Sequence, residues 1–563
     1  MASQSAYDLK SVKLPRMAGG TLKAFVALLD NATIRAVLLP QLLASAGITG
    51  WRKTSVDDAP TFQPLAPMPA KVIGTPANLH NFAQVTRAKS KGLPFATTRD
   101  FAEAYRTGAT TPAQIADRVI EAIADSNARE PALRAIIACQ RDDVLAQARA
   151  STQRWRDGKP LSIFDGVPVA VKDEIDMLPY GTSVGTKFFG KSPARQDATV
   201  VARMRAAGAL LIGKANMHEI GIGVTGLNPH HGTTRNPYNP AHFTGGSSSG
   251  SATAVAAGLC PVAIGADGGG SIRIPSAFCG VVGIKATYAR VSEFGAAPLC
   301  WSVAHLGPIG ATAEDVALAY AVIAGADEKD SHTLHQPDIT LDNFDQPDLR
   351  GVTLGVFTPW FEHASPAMVE GCRKLLNDFQ SLGAAIREIE ISELDAARVA
   401  HVVTISSEMN AALAQFYDAH HADYGLDVRT NLSLARTFNS RDYIHAQQIR
   451  TRTIANFQKA FDQVDAIITP MTGVTAPSIP RDALPDGESD LTTLTEIMRF
   501  ATPPNFTGHP AIAFPAGYDA QGLPVGMQAI GKYWHEHTLL RLARAAEQIV
   551  ERRPPQVHYK LLA

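Results

Sequence analysis

The sequence predicts an α/β protein, with a mixed, largely buried central β-sheet flanked by α-helices and a helical extension at its N-terminus. Three observations predict it. From about residue 160, short β-branched or aliphatic runs alternate with helical stretches. The 563 residues are 45% hydrophobic and 19% charged, which suits a chain that buries a deep core. Ahead of the alternating region, between about residues 20 and 50, apolar residues recur at helical spacing.

Leu22, Phe25, Val26, Leu28 and Leu29 predict a first helix, ended by Asp30-Asn31. Ile34, Val37, Leu38, Leu42 and Leu43 predict a second, interrupted by Pro40. Lys23 and Arg35 supply few basic residues for a membrane anchor, which favours packing on the main body or on a second subunit over a membrane surface. Pro60, Pro64, Pro67 and Pro69 mark residues 55–75 as an extended connector. Thr110-Thr111-Pro112 opens a helix with Ile115, Val119, Ile120 and Ile123 on one face; threonine suits the cap and proline the first turn. Strands are expected around 167–171, 210–212, 262–264, 352–356 and 466–469.

Composition excludes several classes. Lysine and arginine number 52, aspartate and glutamate 53, for a net charge of -1. Full disorder needs lower hydrophobicity and higher net charge. No nucleic-acid partner is expected, because no overall positive charge is present to release phosphate counterions. Cys139, Cys260, Cys279, Cys300 and Cys372 are odd in number and form no CxxC, so they predict neither a disulfide framework nor a metal site. They read as reduced, mostly buried side chains in a reducing compartment. The polar start carries no signal-peptide pattern, and no apolar run is long enough for a transmembrane helix.

Three segments carry chemistry. In Phe164-Asp-Gly-Val-Pro-Val-Ala-Val-Lys172, an apolar strand delivers a lysine to the interior, where lost solvation favours the neutral, basic amine. Taken alone, such a lysine more often snorkels out at a strand end. Thr244-Gly-Gly-Ser247-Ser248-Ser249-Gly-Ser251 is a glycine-serine loop opening a helix of small residues; taken alone, it is a tight turn with serine caps. In Asp267-Gly268-Gly269-Gly270-Ser271-Ile272-Arg273, a strand ends in three glycines and a serine. Such glycines can aim successive N–H groups at one point, as an oxyanion hole or a phosphate cradle requires.

Better-known motifs fail. Gly246-Ser247-Ser248-Ser249-Gly250 fits G-x-S-x-G, but a loop rather than a hydrophobic strand precedes it. There is no phosphate loop and no Rossmann fingerprint. His218-Glu219 lacks the second histidine of H-E-x-x-H, and His230-His231 reads as a polar surface pair. A lysine base removes the need for a triad histidine.

These residues resemble the amidase signature family. Lys172, the Gly-Gly-Ser-Ser-x-Gly segment and the Gly-Gly-Ser271 segment carry the resemblance, with the Ser247-to-Ser271 spacing that family shows. Gly213-Lys214-x-Asn216-Met217-His218-Glu219, Arg235-Asn236-Pro237 and Gly283-Ile284-Lys285-Ala286-Thr287 resemble its intervening stretches. Asn505-x-x-Gly508-x-Pro510 and Gly522-Leu523-Pro524-x-Gly526-x-Gln528 resemble its C-terminal signature. Within the family, the 228–235 segment, Thr244, the Asp267–Ser271 run, the 404–409 stretch, Met498-Arg499-Phe500 and the N-terminal helices most resemble plant-type fatty acid amide hydrolases.

The resemblance implies the amidase signature fold over residues 95–563, after an N-terminal helical region (1–55) and a connector (56–94). It implies a triad of Lys172, Ser247 and Ser271, with Ser271 as nucleophile and a cis peptide before Ser247. It implies backbone N–H groups of Gly268, Gly269, Gly270 and Ser271 as oxyanion donors, and Gly221, Ile222 and Gly223 as substrate-lining residues. Asp267 and Arg273 are expected to fix the nucleophile's loop. No cofactor is expected. The implied substrate is a lipophilic carboxamide, such as a fatty acid amide or N-acylethanolamine. The alternatives are aryl or short-chain acylamides or carbamates, a transamidation subunit acting on charged transfer RNA, and a ligand-binding protein that kept the fold. The resemblance also implies a homodimer; the reduced cysteines and the absence of a signal-peptide pattern lead to an expected cytoplasmic location, with or without a peripheral membrane contact.

Overall fold

The computed structural model describes residues 7–85 and 92–563. Residues 1–6 of the expected N-terminal region and 86–91 of the expected connector lie outside the described residues. Among the described residues, eleven strands form one mixed sheet. Its order is Ile136–Ala138, Leu210–Ala215, Pro168–Lys172, Val262–Ala266, Leu306–Gly310, Val282–Lys285, Ala511–Tyr518, Pro524–Gly531, Ala466–Pro470, Thr353–Val356 and Ala385–Glu388. The five expected strands are all present, each within a few residues of its expected ends.

Three parallel neighbours position the site. Pro168–Lys172 lies between Leu210–Ala215 and Val262–Ala266, with Val171 opposite Ile264 and Lys172 opposite Ala215. Every residue of these strands is buried, as continuous apolar runs in a sheet covered on both faces require. Parallel strands discharge their C-termini at one edge, so Lys172 and the loop after Ala266 emerge side by side. The helix Ser249–Ala256 leads back into Val262–Ala266, so its N-terminus, carrying Ser247, returns to that same edge. Its alanines, glycine and serines are all buried; small side chains let the helix lie close to the sheet.

The helix Pro112–Ala128 begins as expected: the Thr111 hydroxyl accepts from the Gln114 N–H and Pro112 occupies the first turn. At the N-terminus the helices are Gly19–Asp30, Ala32–Ser45 and Ile48–Trp51. Asn31 separates the first two and caps the second, its side chain accepting from the Thr33 and Ile34 N–H groups. The expected interruption at Pro40 does not occur, and the helix runs through it. Both Pro40 and Ala36 are exposed, so water can satisfy the carbonyl one turn back whose partner proline removes. Leu43, Ile48 and Trp51 share a core cluster with Ala397, Val399, Ala400 and Val403 of the long helix Leu394–His420. The N-terminal helices therefore pack on the main body. No helix among the described residues is long and apolar enough to cross a membrane. The five cysteines are free thiols; Cys139 is half-buried and the rest are buried.

Candidate active site

Lys172 projects from the end of its strand into a space that is almost fully closed. Its Nζ lies 2.8 Å from Ser247 Oγ and 3.3 Å from the Ala266 carbonyl oxygen, in hydrogen bonds to both. Lys172 and Ser247 are each 1% exposed. The peptide joining Gly246 to Ser247 is cis. Ser248, next in the chain, ties the two loops together. Its N–H donates to the Ser271 carbonyl oxygen (3.2 Å) and its hydroxyl to the Ala266 carbonyl oxygen (3.0 Å). Lys172 and Ser247 are thus in direct contact, and Ser271 is on the adjoining loop. The Ser271 hydroxyl forms no hydrogen bond with another described residue; Ser271 lines a cavity beside it.

One partner of Lys172 escapes sequence reasoning. Glu174 Oε2 lies 2.7 Å from Lys172 Nζ, and both side chains are buried. The expectation of a neutral amine rests on burial alone. The structure adds a carboxylate against the same nitrogen, a contact that burial alone does not announce. Glu174 stands two residues after the lysine, in view in the sequence, but an i, i+2 pair at a strand end need not converge.

The loop after Ala266 is tightly fixed. The Asp267 carboxylate accepts from Arg273 Nε (2.9 Å), the Gly270 N–H (2.5 Å) and the Ile272 N–H (3.1 Å). Burial opposes its charge, but Arg273 and these donors prevail and hold the carboxyl well below the usual carboxylate range. Arg273 also donates to Gln528 Oε1, Asn505 Oδ1 and the Ala501 carbonyl oxygen. Asn505 in turn donates to the Asp267 carbonyl oxygen at 2.7 Å. Two residues of the C-terminal motif therefore clamp the glycine loop from beneath.

This bonding narrows the expected set of oxyanion donors. The Gly270 N–H is committed to Asp267, because the turn that brings Arg273 back to Asp267 also points that N–H at the carboxylate. Gly269 and Ser271 line the cavity. A Cβ added at Gly268 would meet Cys300 Sγ at 3.0 Å and Ile405 Cδ1 at 3.2 Å.

Gly221 and Ile222 also line the cavity, and a Cβ on Gly221 would stand 3.5 Å from Ser247 Oγ. Gly223 is oriented differently from its two neighbours. It turns its open face to the His218 imidazole, where an added Cβ would come within 2.1 Å of the ring. Val224 lines the cavity in its place. His230 and His231 are likewise not a surface pair. They are half-buried, with His230 Nε2 2.9 Å from Glu219 Oε1 and both N–H groups donating to Asn228 Oδ1.

The cavity wall comes from remote parts of the chain: Ile405 and Met409 from the long helix, Leu491, Leu494 and Met498 from the C-terminal region, and Val12, Ala46 and Ile48 from the N-terminal segment. Most of its side chains are apolar. His401 is its most buried ionisable group; burial pushes the imidazole down to about 4.

Comparison with known proteins agrees with the geometry. The sequence profile of the amidase family matches residues 118–540. The fatty acid amide hydrolase of Oryza sativa subsp. indica is 39% identical, over 99% of this chain and 96% of that protein. The fatty acid amide hydrolase of Arabidopsis thaliana is 37% identical over the same shares. Among solved structures, the native peptide amidase of Stenotrophomonas maltophilia superposes with a TM-score of 0.71 at 29% identity, covering 82% of this chain and 99% of that one. An α/β sheet with helices on both faces, a family profile spanning most of the chain and relatives matched end to end converge: this chain belongs to the amidase signature family and is an amide hydrolase.

Proposed function

We propose that the chain hydrolyses lipophilic carboxamides, fatty acid amides or N-acylethanolamines, through an acyl-Ser271 intermediate. The single observation that carries this reading is the mostly apolar cavity whose lining includes Ser271 together with N-terminal side chains. An apolar wall gains from burying methylene groups, at about 0.8 kcal/mol each. The names of the plant relatives support the same substrate class.

In this reading Ser271 Oγ attacks the amide carbon while Ser247 takes its proton and passes one to Lys172. A serine hydroxyl is a poor nucleophile unless its proton leaves as it attacks. Lys172 then returns a proton through Ser247 to the departing nitrogen, which cannot leave as an anion. Water hydrolyses the acyl ester by the same relay. The N–H groups of Gly269 and Ser271 stabilise the oxyanion. The reaction as written uses no cofactor. The proposal extends to a homodimer, with the N-terminal helices beside the acyl entry.

A fluorophosphonate carrying a long acyl chain tests the nucleophile: wild type is labelled at Ser271, and Ser271→Ala is not. Lys172→Ala loses stability, because it leaves the buried Glu174 carboxylate without its partner, and in the folded fraction it loses amide turnover by at least about a thousandfold. A series of acyl amides of increasing length tests the substrate class. kcat/KM that rises with length supports it; a flat or falling series replaces it with aryl or short-chain acylamides or carbamates.

A further inference from the structure

His401 lies on the long helix, far in sequence from the triad and outside every motif that identifies the chain. Its Nε2 is 2.8 Å from the Gly268 carbonyl oxygen. A carbonyl oxygen only accepts, so Nε2 carries the hydrogen and Nδ1 is the unprotonated nitrogen. Nδ1 is buried and has no hydrogen-bond partner among the described residues, which agrees with a neutral ring. The ring also packs against the glycine loop: a Cβ on Gly269 would meet its Cε1 at 2.9 Å.

The consequence is geometric. In a trans peptide the C=O and the following N–H point in opposite directions. The Gly268–Gly269 peptide is trans. Holding the Gly268 oxygen toward the helix therefore turns the Gly269 N–H the other way. With the Gly270 N–H occupied by Asp267, the Gly269 and Ser271 N–H groups are the two without an acceptor among the described residues that belong to cavity-lining residues of this loop. Unheld, a glycine peptide flips readily, because both glycines tolerate either sign of φ.

We propose that His401 is a positioning residue for amide hydrolysis: by donating to the Gly268 carbonyl it locks the Gly268–Gly269 peptide with the Gly269 N–H aimed at the developing oxyanion. This rests on the acyl-Ser271 reading. His401 does not touch the reacting atoms, and its effect appears where negative charge accumulates, not where the acyl chain binds.

The test uses the full-length protein with His401→Leu, which removes the donor, and His401→Gln, which restores one. His401→Phe replaces the Leu variant should that one fail to fold, as judged by thermal melting. A long-chain acyl amide gives kcat and KM, and a long-chain trifluoromethyl ketone, which forms an oxyanion on the nucleophilic serine, gives an inhibition constant. Removing one oxyanion donor costs about a hundredfold or more in kcat. A misaimed donor is expected to cost about 10- to 100-fold in kcat, with KM little changed, ketone affinity falling in step and glutamine recovering most of both. The proposal is overturned if the donorless variant keeps wild-type kcat and ketone affinity, if the loss lies in KM alone, or if Leu and Gln fall equally. Fluorophosphonate labelling separates the two levels. Wild type unlabelled at Ser271 sinks the acyl-serine reading itself; wild type labelled, with unchanged His401 variants, sinks only this inference.

Discussion

At the scale of single residues, the site turns on one buried nitrogen and what surrounds it. Lys172 contacts Ser247 Oγ, a backbone carbonyl and the Glu174 carboxylate. The carboxylate holds the amine in place at 2.7 Å. Glu174→Gln keeps an oxygen facing Lys172 but removes the charge. Its expected outcome is a fall in kcat with KM little changed, read from steady-state rates at one pH, because the contact that holds the Lys172 amine against Ser247 is weakened. Unchanged kcat would show that Glu174 only packs. His401 makes a separate prediction about stability. Burial holds the folded imidazole down at about 4, with Arg450 and Arg273 nearby adding to burial and Asp267 and the Gly268 carbonyl opposing it. An unfolded histidine titrates near 6.5. The unfolded chain therefore takes up a proton first as pH falls, and stability present above about 6.5 drains away down to about 4. The full loss is about 3 kcal/mol, an order-of-magnitude figure. Denaturant unfolding at pH 7 and pH 5 should show the wild type losing more stability than His401→Gln over that interval.

At the scale of elements, loops are held by side chains of other elements. The glycine loop after Ala266 is fixed by Arg273, which also engages Gln528 from the strand Pro524–Gly531 and Asn505 from the helix Thr502–Thr507. Both members of the Asp267–Arg273 pair are fully buried. Removing one partner of such a pair leaves an uncompensated charge, at a cost of about 3–5 kcal/mol. Arg273→Leu is therefore expected to lose that much stability in urea unfolding and to lower kcat by loosening the loop. A change below about 1 kcal/mol would contradict this account. The neighbouring Gly221–Gly223 turn shows the same dependence. Its first two residues face the cavity, but the third is pinned against His218, a contact that spacing along the chain does not reveal.

At the scale of the whole molecule, the cavity is finished by the chain's first fifty residues. Val12, Ala46 and Ile48 lie in its wall, while Leu43, Ile48 and Trp51 anchor that segment to the long helix. Outside, Leu28, Ile34 and Val37 remain exposed on the first two helices. Deleting residues 1–51 should raise KM for long acyl amides more than for short ones, because it removes Val12, Ala46 and Ile48 from the apolar wall and a longer chain buries more methylene groups against that wall. The ratio of the two KM values, measured on the same protein preparation, isolates this effect from any general loss of stability. An unchanged ratio would detach the N-terminal segment from substrate binding.

The sequence by itself determined the α/β class, the strands that carry the site and the cap at Thr111, while Lys172, Ser247 and Ser271 became a triad only through the family resemblance. These are local properties: strand runs, turn glycines and caps are read over a few neighbouring residues. It also held the Asp267–Arg273 pair within one short loop. The tertiary structure alone decided that Gly270 spends its N–H on Asp267, that Gly223 faces a histidine, that Pro40 leaves its helix intact, and that Glu174 and His401 reach the site. Those outcomes depend on which surfaces meet when distant segments pack. A hydrogen bond between residues 268 and 401 is set by the docking of a helix onto a sheet edge, for which no spacing in the chain is a signature.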